Sequence, residues 1–366
     1  MASGSAPPLA QDETSRSEAD IHMTICEQPV SDRSVWLAKD YASDRSWLNV
    51  LSAADLNELD SALRAVKARG MAPPHFGRED FLIPGLGARL ETFGHALDHG
   101  RGFFVIRGLP IERYSLDDIK TIYWAIGTHL GNPVLQNKAG DLVSHVEDRG
   151  DDYSMPNVRL YSTAAAANPH NDPSDVVGLL CVRTAPTGGA SMIASATAIY
   201  KRVAQQHPEH LAVLARGFPH AVRGEGSSRS TRETTPPIPV FSYHQGKLSC
   251  CLNSKSSRTA RELQGEPLTA LENEAIKCVE DLANDPEFYT TMDFRPGDMQ
   301  FLNNYVILHN RTAFENGPDP AQRRLLLRLW LNRREGRALA PGFGDRFNNG
   351  SRGGVPAQAV DAAARQ

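Results

Sequence analysis

Apolar residues recur at helical spacing in the first third of the chain and in short, turn-bounded runs after it. Ser52 stands three residues ahead of Asp55, and Leu56, Leu59, Leu63 and Val66 follow on one helical face. A capped amphipathic helix is predicted there, ended by Gly70. Pro73-Pro74 marks a loop. A second helical face carries Leu90, Phe93 and Leu97 and stops at Gly100. Phe103-Phe104-Val105-Ile106 reads as a buried strand, closed by Gly108 and Pro110. Ser115 with Asp118 opens a third helix that turns Ile119, Ile122 and Ile126 inward.

From about residue 133 the pattern changes. Strands are expected at 158–161, 176–182, 191–194, 240–243, 248–252, 289–294, 299–308 and 323–332, separated by Gly, Pro, Asn and Asp. Regular short strands of this kind suggest a sandwich or jelly roll. Two helices interrupt them: one over about 196–206, and one opened by a Thr269/Glu272 capping box that buries Ile276, Val279 and Leu282. Residues 1–30 are polar and small and are read as disordered, and 346–366 as a loose tail. Residues 31–345 are read as a single domain.

Composition excludes more than it selects. The 39 basic and 43 acidic residues give a net charge of −4. No basic block stands out, so neither nucleic-acid nor anionic-membrane binding is expected. The five cysteines (Cys26, Cys181, Cys250, Cys251 and Cys278) form no zinc-like spacing and no CxxC pair. With no secretory signal and no run of transmembrane length, a reduced, cytoplasmic location is the expectation.

Three His-x-acid spacings are present: His145-Val146-Glu147, His170-Asn171-Asp172 and His207-Pro208-Glu209. With 12 His and 43 acidic residues among 366, chance supplies roughly one or two, so context must choose. His207-Pro208-Glu209 lies in a polar stretch and reads as a solvated turn. His145-Val146-Glu147 runs into a charged loop and reads as a surface strand end. His170-Asn171-Asp172 follows Pro169 and precedes the apolar run Val176-Val177-Gly178-Leu179-Leu180. A loop pinned to a core strand suits a rigid ligand pair, though a hydrogen-bonded turn is an equal reading. Downstream, a strand over 299–308 would place Asn303, Tyr305, Ile307 and His309 on one face. Two His and one carboxylate form the set that leaves open positions on Fe(II). The bland alternative for His309 is a satisfied core histidine.

A further strand, Arg323 to Leu331, alternates. Leu325, Leu327, Leu329 and Leu331 share one face with Arg323, while Arg324, Leu326, Arg328 and Trp330 share the other. Two guanidiniums on so apolar a strand require anions. Those anions are either protein carboxylates or a dicarboxylate ligand gripped bidentately.

Taken in order, these pieces resemble the taurine dioxygenase/TfdA-like family of Fe(II)- and 2-oxoglutarate-dependent oxygenases. The resemblance covers about 102–344. It rests on Gly102-Phe103-Phe104-Val105-Ile106-Arg107-Gly108, His170-Asn171-Asp172, Gly188-Gly189-Ala190-Ser191, Arg295-Pro296-Gly297-Asp298, Asn303-Asn304 to His309, and Arg324/Arg328 followed by Trp330. It implies a mainly β fold with flanking helices, a double-stranded β-helix or jelly roll of the clavaminate synthase-like kind. It implies that His170, Asp172 and His309 ligate iron. Arg324 would bind the distal carboxylate of 2-oxoglutarate with help from Ser191, where relatives usually carry Thr. Arg328 would lie near the cofactor or a substrate anion. Asn171 stands where relatives often have Thr or Ser and is not a ligand.

The chemistry so implied uses Fe(II), 2-oxoglutarate and O2. Oxidative decarboxylation to succinate and CO2 drives attack on an aliphatic C–H bond, ending in hydroxylation, desaturation or cyclisation. The expected substrate is a small, carboxylate-bearing molecule, an amino acid or a secondary-metabolite intermediate. Gln136, Asn137, Tyr161 and Phe343 are candidate substrate contacts. Competing readings are a cupin-type metalloenzyme that does not use 2-oxoglutarate and a degenerate, non-catalytic binding protein. Relatives are often dimers or tetramers, and the sequence leaves a homo-oligomer open.

Overall fold

Capping chemistry sets the helices of the N-terminal third. In the computed structural model, which describes residues 30–343 apart from 138, 156–157, 159 and 223–232, Ser52 accepts from the Asp55 N–H and Asp55 reaches back to the Ser52 N–H. Helix α1 (Ala53–Ala68) follows, then α2 (Pro84–His99) and α3 (Leu116–Leu130), the last capped by Ser115. The expected end segments 1–30 and 346–366 lie outside the described residues, save Val30.

A seven-stranded sheet carries most of the core. Its spatial order is β1 (Leu48–Val50), β2 (Phe103–Arg107), β11 (Met299–Asn303), β5 (Val176–Arg183), β14 (Leu325–Asn332) and β3 (Asn132–Pro133), with β4 (Val143–Val146) also paired to β14. A three-stranded sheet holds β10 (Tyr289–Met292), β7 (Ser191–Ser195) and β12 (Ile307–Arg311). Two small ribbons join β6 (Thr187–Gly188) to β13 (Phe314–Glu315) and β8 (Phe241–His244) to β9 (Lys247–Cys250). Four further helices are α4 (Ala196–Gln206), α5 (Pro208–Arg216), α6 (Ser254–Leu263) and α7 (Ala270–Ala283).

The core is layered. Leu325, Leu327, Leu329 and Leu331 meet α1, α2 and α3 through Leu59, Leu90, Ile122 and Ile126. The opposite face of the large sheet presents Phe103, Val177, Leu302 and Trp330 to Ile193, Met292 and Ile307 of the small sheet. Behind the small sheet, α4, α5 and α7 close a second core around Ile199, Leu214 and Val279.

Three expectations need correction. The double-stranded β-helix or jelly roll is not formed. The fold is mixed α/β with four separate sheets, none closed into a barrel, and helices hold more of the described chain than strands do. The single strand expected over 299–308 is two strands in different sheets. The Asn303 carbonyl and side chain accept from the Val306 and Tyr305 N–H groups, and the chain turns there. Asn303 and His309 therefore do not share a strand face. Nor do the described residues of the run expected over 158–161 form a strand: Leu160–Ser162 is a 3-10 turn, and residue 159 lies outside the described residues.

Candidate metal centre

Backbone pairing brings the two halves of the His-x-Asp…His set together. The His170 N–H donates to the His309 carbonyl at 3.0 Å, and the His170 carbonyl accepts from the His309 N–H at 3.1 Å. This bridge ties the 168–172 loop to β12. Asn171 fixes the loop from inside: its amide donates to the Ile307 carbonyl at 2.8 Å and accepts from the Leu252 N–H at 2.9 Å. Asp172 donates its N–H to Asn304 Oδ1 at 3.2 Å, and Asn304 in turn donates to Ser174 Oγ at 3.0 Å. The turn that splits 299–308 thus supplies the support for Asp172.

The side chains converge. One ligand atom from each of His170, Asp172 and His309 lies within 4.8 Å of the others. His170 Nε2 is 4.0 Å from Asp172 Oδ1, and His309 Nε2 is 3.8 Å from Oδ2. His170 Nδ1 bonds the Asn168 carbonyl at 2.9 Å, the outer contact that orients a ligating imidazole. Trp330 Nε1 donates to Asp172 Oδ2 at 3.0 Å.

Burial would raise the Asp172 carboxyl. Arg328, His309, His170 and the Trp330 N–H outweigh it and hold the group down at about 2. Burial, aided by His170 and opposed by Asp172, pushes His309 down to about 3. At neutral pH the trio therefore offers an ionised carboxylate and an uncharged His309 imidazole. This donor set fits Fe(II) and similar divalent ions.

The trio opens on a cavity of about 1090 Å³, solvent at its mouth included, lined also by Tyr161, Ser191, Arg311, Arg324 and Arg328. Arg324 is buried, its Nη1 has no hydrogen-bond partner among the described residues, and burial lowers its guanidinium to about 10, still charged at neutral pH. A Cβ on Gly189, at φ +73, would stand 2.9 Å from Arg324 Nε, so the Gly188-Gly189 turn makes room for this side chain. Ser191 Oγ donates to Gln300 Oε1 at 3.3 Å. Arg328 donates Nε to Gln136 Oε1 at 2.7 Å, places Nη1 3.7 Å from Asp172 Oδ1, and leaves Nη2 buried and unpaired.

The four candidate substrate contacts fall in different places. Tyr161 lines the cavity with Arg328 Cζ 5.1 Å from its ring. Gln136 is wholly buried behind Arg328 and donates to the Leu142 and Arg328 carbonyls. Asn137 bonds Asp141 in an exposed loop. Phe343 packs near Tyr305 in the core between the sheets. Neither Gln136, Asn137 nor Phe343 lines the cavity. His145 and His207 each sit 3.6 Å from their own glutamates, also outside it.

Arg311 was not foreseen. It lines the cavity, donates Nη2 to the Thr163 and Ala165 carbonyls, and shares the Phe314 ring with Arg324, each Cζ 4.8 Å from the centroid. The available signal was its place two residues after His309, on the same strand face.

The profile of the taurine catabolism dioxygenase TauD, TfdA family matches residues 68–330. The chain is 31% identical over 322 residues to FR-33289 synthase of Streptomyces rubellomurinus, covering 86% of this chain and 93% of that one. It is 27% identical over 313 residues to the taurine hydroxylase-like protein SAT17 of Stachybotrys chartarum, covering 82% and 79%. Among solved structures, asparagine oxygenase with Fe(II), 2S,3S-3-hydroxyasparagine and succinate superposes with a TM-score of 0.60 at 19% identity, over 82% of this chain and 98% of that one. The non-heme iron oxygenase OrfP, with Fe and alpha-ketoglutaric acid, gives 0.57 at 14% identity, over 78% and 93%. No helix among the described residues is long and apolar enough to cross a membrane. With the profile matching well over half its length, the chain belongs to the TauD/TfdA family and is a non-haem iron, 2-oxoglutarate-dependent oxidoreductase.

Proposed function

We propose that this oxygenase oxidises an aliphatic C–H bond of a small, carboxylate-bearing molecule, with His170, Asp172 and His309 holding Fe(II) and Arg324 holding the distal carboxylate of 2-oxoglutarate. The observation that carries this reading is the buried Arg324 guanidinium, with its free Nη1, in the same cavity as the trio. A buried donor without a partner costs about 1–3 kcal/mol, more when charged, and a bidentate carboxylate removes that cost. When bound, iron and oxo-acid supply the oxidising chemistry, releasing succinate and CO2.

The chain's own residues bind, orient and exclude water. Ser191 adds a hydroxyl beside the Arg324 subsite. Leu179, Leu326, Val146 and Phe294 make apolar walls that keep the site dry. Arg328, steadied by Gln136, offers its free Nη2 to an anion close to the metal. Charge supports an anionic substrate. The ionised lining groups are Lys255, Arg311, Arg324 and Arg328 against Asp172 alone. A divalent metal and a doubly charged oxo-acid cancel, so the cationic excess remains for the substrate. The hydroxyasparagine in asparagine oxygenase and the L-Arg in OrfP place amino acids first in the screen.

The test is succinate release that requires both Fe(II) and 2-oxoglutarate, surveyed across amino acids, sulfonates and other small acids. Acidic substrates should raise turnover above the uncoupled rate, and Arg328→Met should raise their KM. Wild-type 2-oxoglutarate turnover by His309→Ala would overturn the assigned ligands.

A further inference from the structure

The third His-x-acid spacing, read from sequence as a solvated turn between helical segments, lies at the junction of two helices. His207 closes α4 with its N–H on the Val203 carbonyl at 2.8 Å, and Pro208 takes the first position of α5. The His210 N–H then donates to the His207 carbonyl at 3.0 Å. This folds the two rings together, with centroids 5.6 Å apart and planes 21° from parallel. Cys278, a free thiol on α7, faces them. Ligand atoms of His207, His210 and Cys278 all lie within 4.8 Å of one another. Glu209 Oε1 is 3.6 Å from His207 Nδ1 and 3.8 Å from His210 Nε2.

We propose that His207, His210 and Cys278 form a second metal site, for Zn2+ or a similar borderline-soft divalent ion, with Glu209 or water as fourth ligand. His210 supplies the independent sign. It is only 8% exposed, yet its Nδ1 is buried with no hydrogen-bond partner. An uncharged imidazole has one donor and one acceptor nitrogen to satisfy, and a metal bond satisfies one of them. Thiolate plus two imidazoles is a donor set that selects zinc over the oxygen-seeking ions. Bonds of about 2.0–2.3 Å in a tetrahedron put ligand atoms roughly 3.3–3.8 Å apart, so closure on an ion takes side-chain movement of about 1 Å. Binding deprotonates the Cys278 thiol and releases that proton to solvent. The ion would clamp the α4–α5 junction to α7, behind the small sheet that carries His309.

Cobalt(II) titration of metal-stripped, reduced protein tests this in a His309→Ala background, where the iron site is disabled. One equivalent should produce tetrahedral visible bands and a thiolate-to-cobalt charge-transfer band, both bleached by one equivalent of zinc. Cys278→Ala and His210→Ala, with folding checked by circular dichroism, should each abolish the charge-transfer band. In the unmutated protein, saturating zinc should slow alkylation of Cys278 at least tenfold, a readout that needs no variant. No charge-transfer band from folded protein, a band that survives Cys278→Ala, or unchanged alkylation would each overturn the site. Iron-dependent 2-oxoglutarate turnover by Cys278→Ala should persist, which separates this site from the oxygenase centre.

Discussion

His309 is the residue at which burial and chemistry bear on each other most directly. Its imidazole titrates near 6.5 when unfolded and at about 3 in the metal-free fold. As pH falls below 6.5 the unfolded chain takes up a proton that the folded chain refuses, so stability drops. From pH 6.5 to 5 this amounts to on the order of 2 kcal/mol. The Tm of the metal-free protein should fall across that interval, and His309→Gln should flatten the fall. Asp172, held low, loses its own contribution only further down, between its unfolded value and about 2. Trp330→Phe isolates the outer contact. It removes the N–H on Asp172 but keeps an aromatic face for Arg328, whose Cζ lies 4.6 Å from the ring. Fe(II) affinity should drop about 10–100-fold. An unchanged affinity in iron titration would show that the indole bond is dispensable. Gly189→Ala should raise the KM for 2-oxoglutarate several-fold and cost about 1–2 kcal/mol, because φ there is +73 and the new methyl meets Arg324. That the trio and the arginine pair would meet in one place was legible from residue types and spacings, and both line the same cavity. Arg311 was missed because its partners are backbone carbonyls from residues 163 and 165, which leave no trace in composition.

At the scale of elements, capping decided what could be read. The boxes at Ser52/Asp55 and Thr269/Glu272 start helices where their spacing predicts. The start of α5 was hidden because Pro208, read as part of a solvated turn, is its first residue. α6 is rich in Ser and Arg and shows no apolar face to count, although Asn253 caps it. The 299–308 run looked continuous because both strands are apolar; the Asn303 bonds to the Tyr305 and Val306 N–H groups mark the break. Packing between elements yields a prediction of its own. Gly178 sits in the central strand β5, where a Cβ would lie 2.5 Å from Tyr123 Oη of α3 and 2.8 Å from the Phe301 ring of β11. Both neighbours are fully buried, so neither has space to yield. Gly178→Ala should therefore cost about 1–3 kcal/mol, measured as a lower denaturation midpoint with an unchanged m-value. A neutral outcome would mean that α3 shifts on the sheet more easily than its packing suggests.

Across the whole molecule, the site belongs to neither sheet alone. His309 rises from the small sheet, Arg328 stands on β14 of the large one with Arg324 just ahead of that strand, and the 168–172 loop pairs with His309. The order of strands could be read from turns and apolar runs, but whether two sheets close into a barrel depends on long-range pairings such as Leu331 with Pro133, which local pattern does not encode. That is why the expected jelly roll gave way to open sheets between helical layers. A site shared between sheets couples ligand binding to the stability of the whole fold, since anything bound there joins surfaces that unfolding separates. A ligand at a hundred times its Kd adds about 2.7 kcal/mol, or roughly 3–4 °C in Tm for a chain of this size. Fe(II) should give such a shift alone, and 2-oxoglutarate should add a second one only when metal is present, because under the proposed assignment it would bind both the ion and Arg324. Arg324→Ala should keep the first increment and lose the second, whereas His309→Ala should lose both. Thermal scans with and without each ligand distinguish these cases. A full 2-oxoglutarate increment in Arg324→Ala would move the distal carboxylate to another arginine, Arg311 being the nearest candidate through the shared Phe314 ring. An increment of equal size without metal would mean that the oxo-acid binds to the large sheet alone.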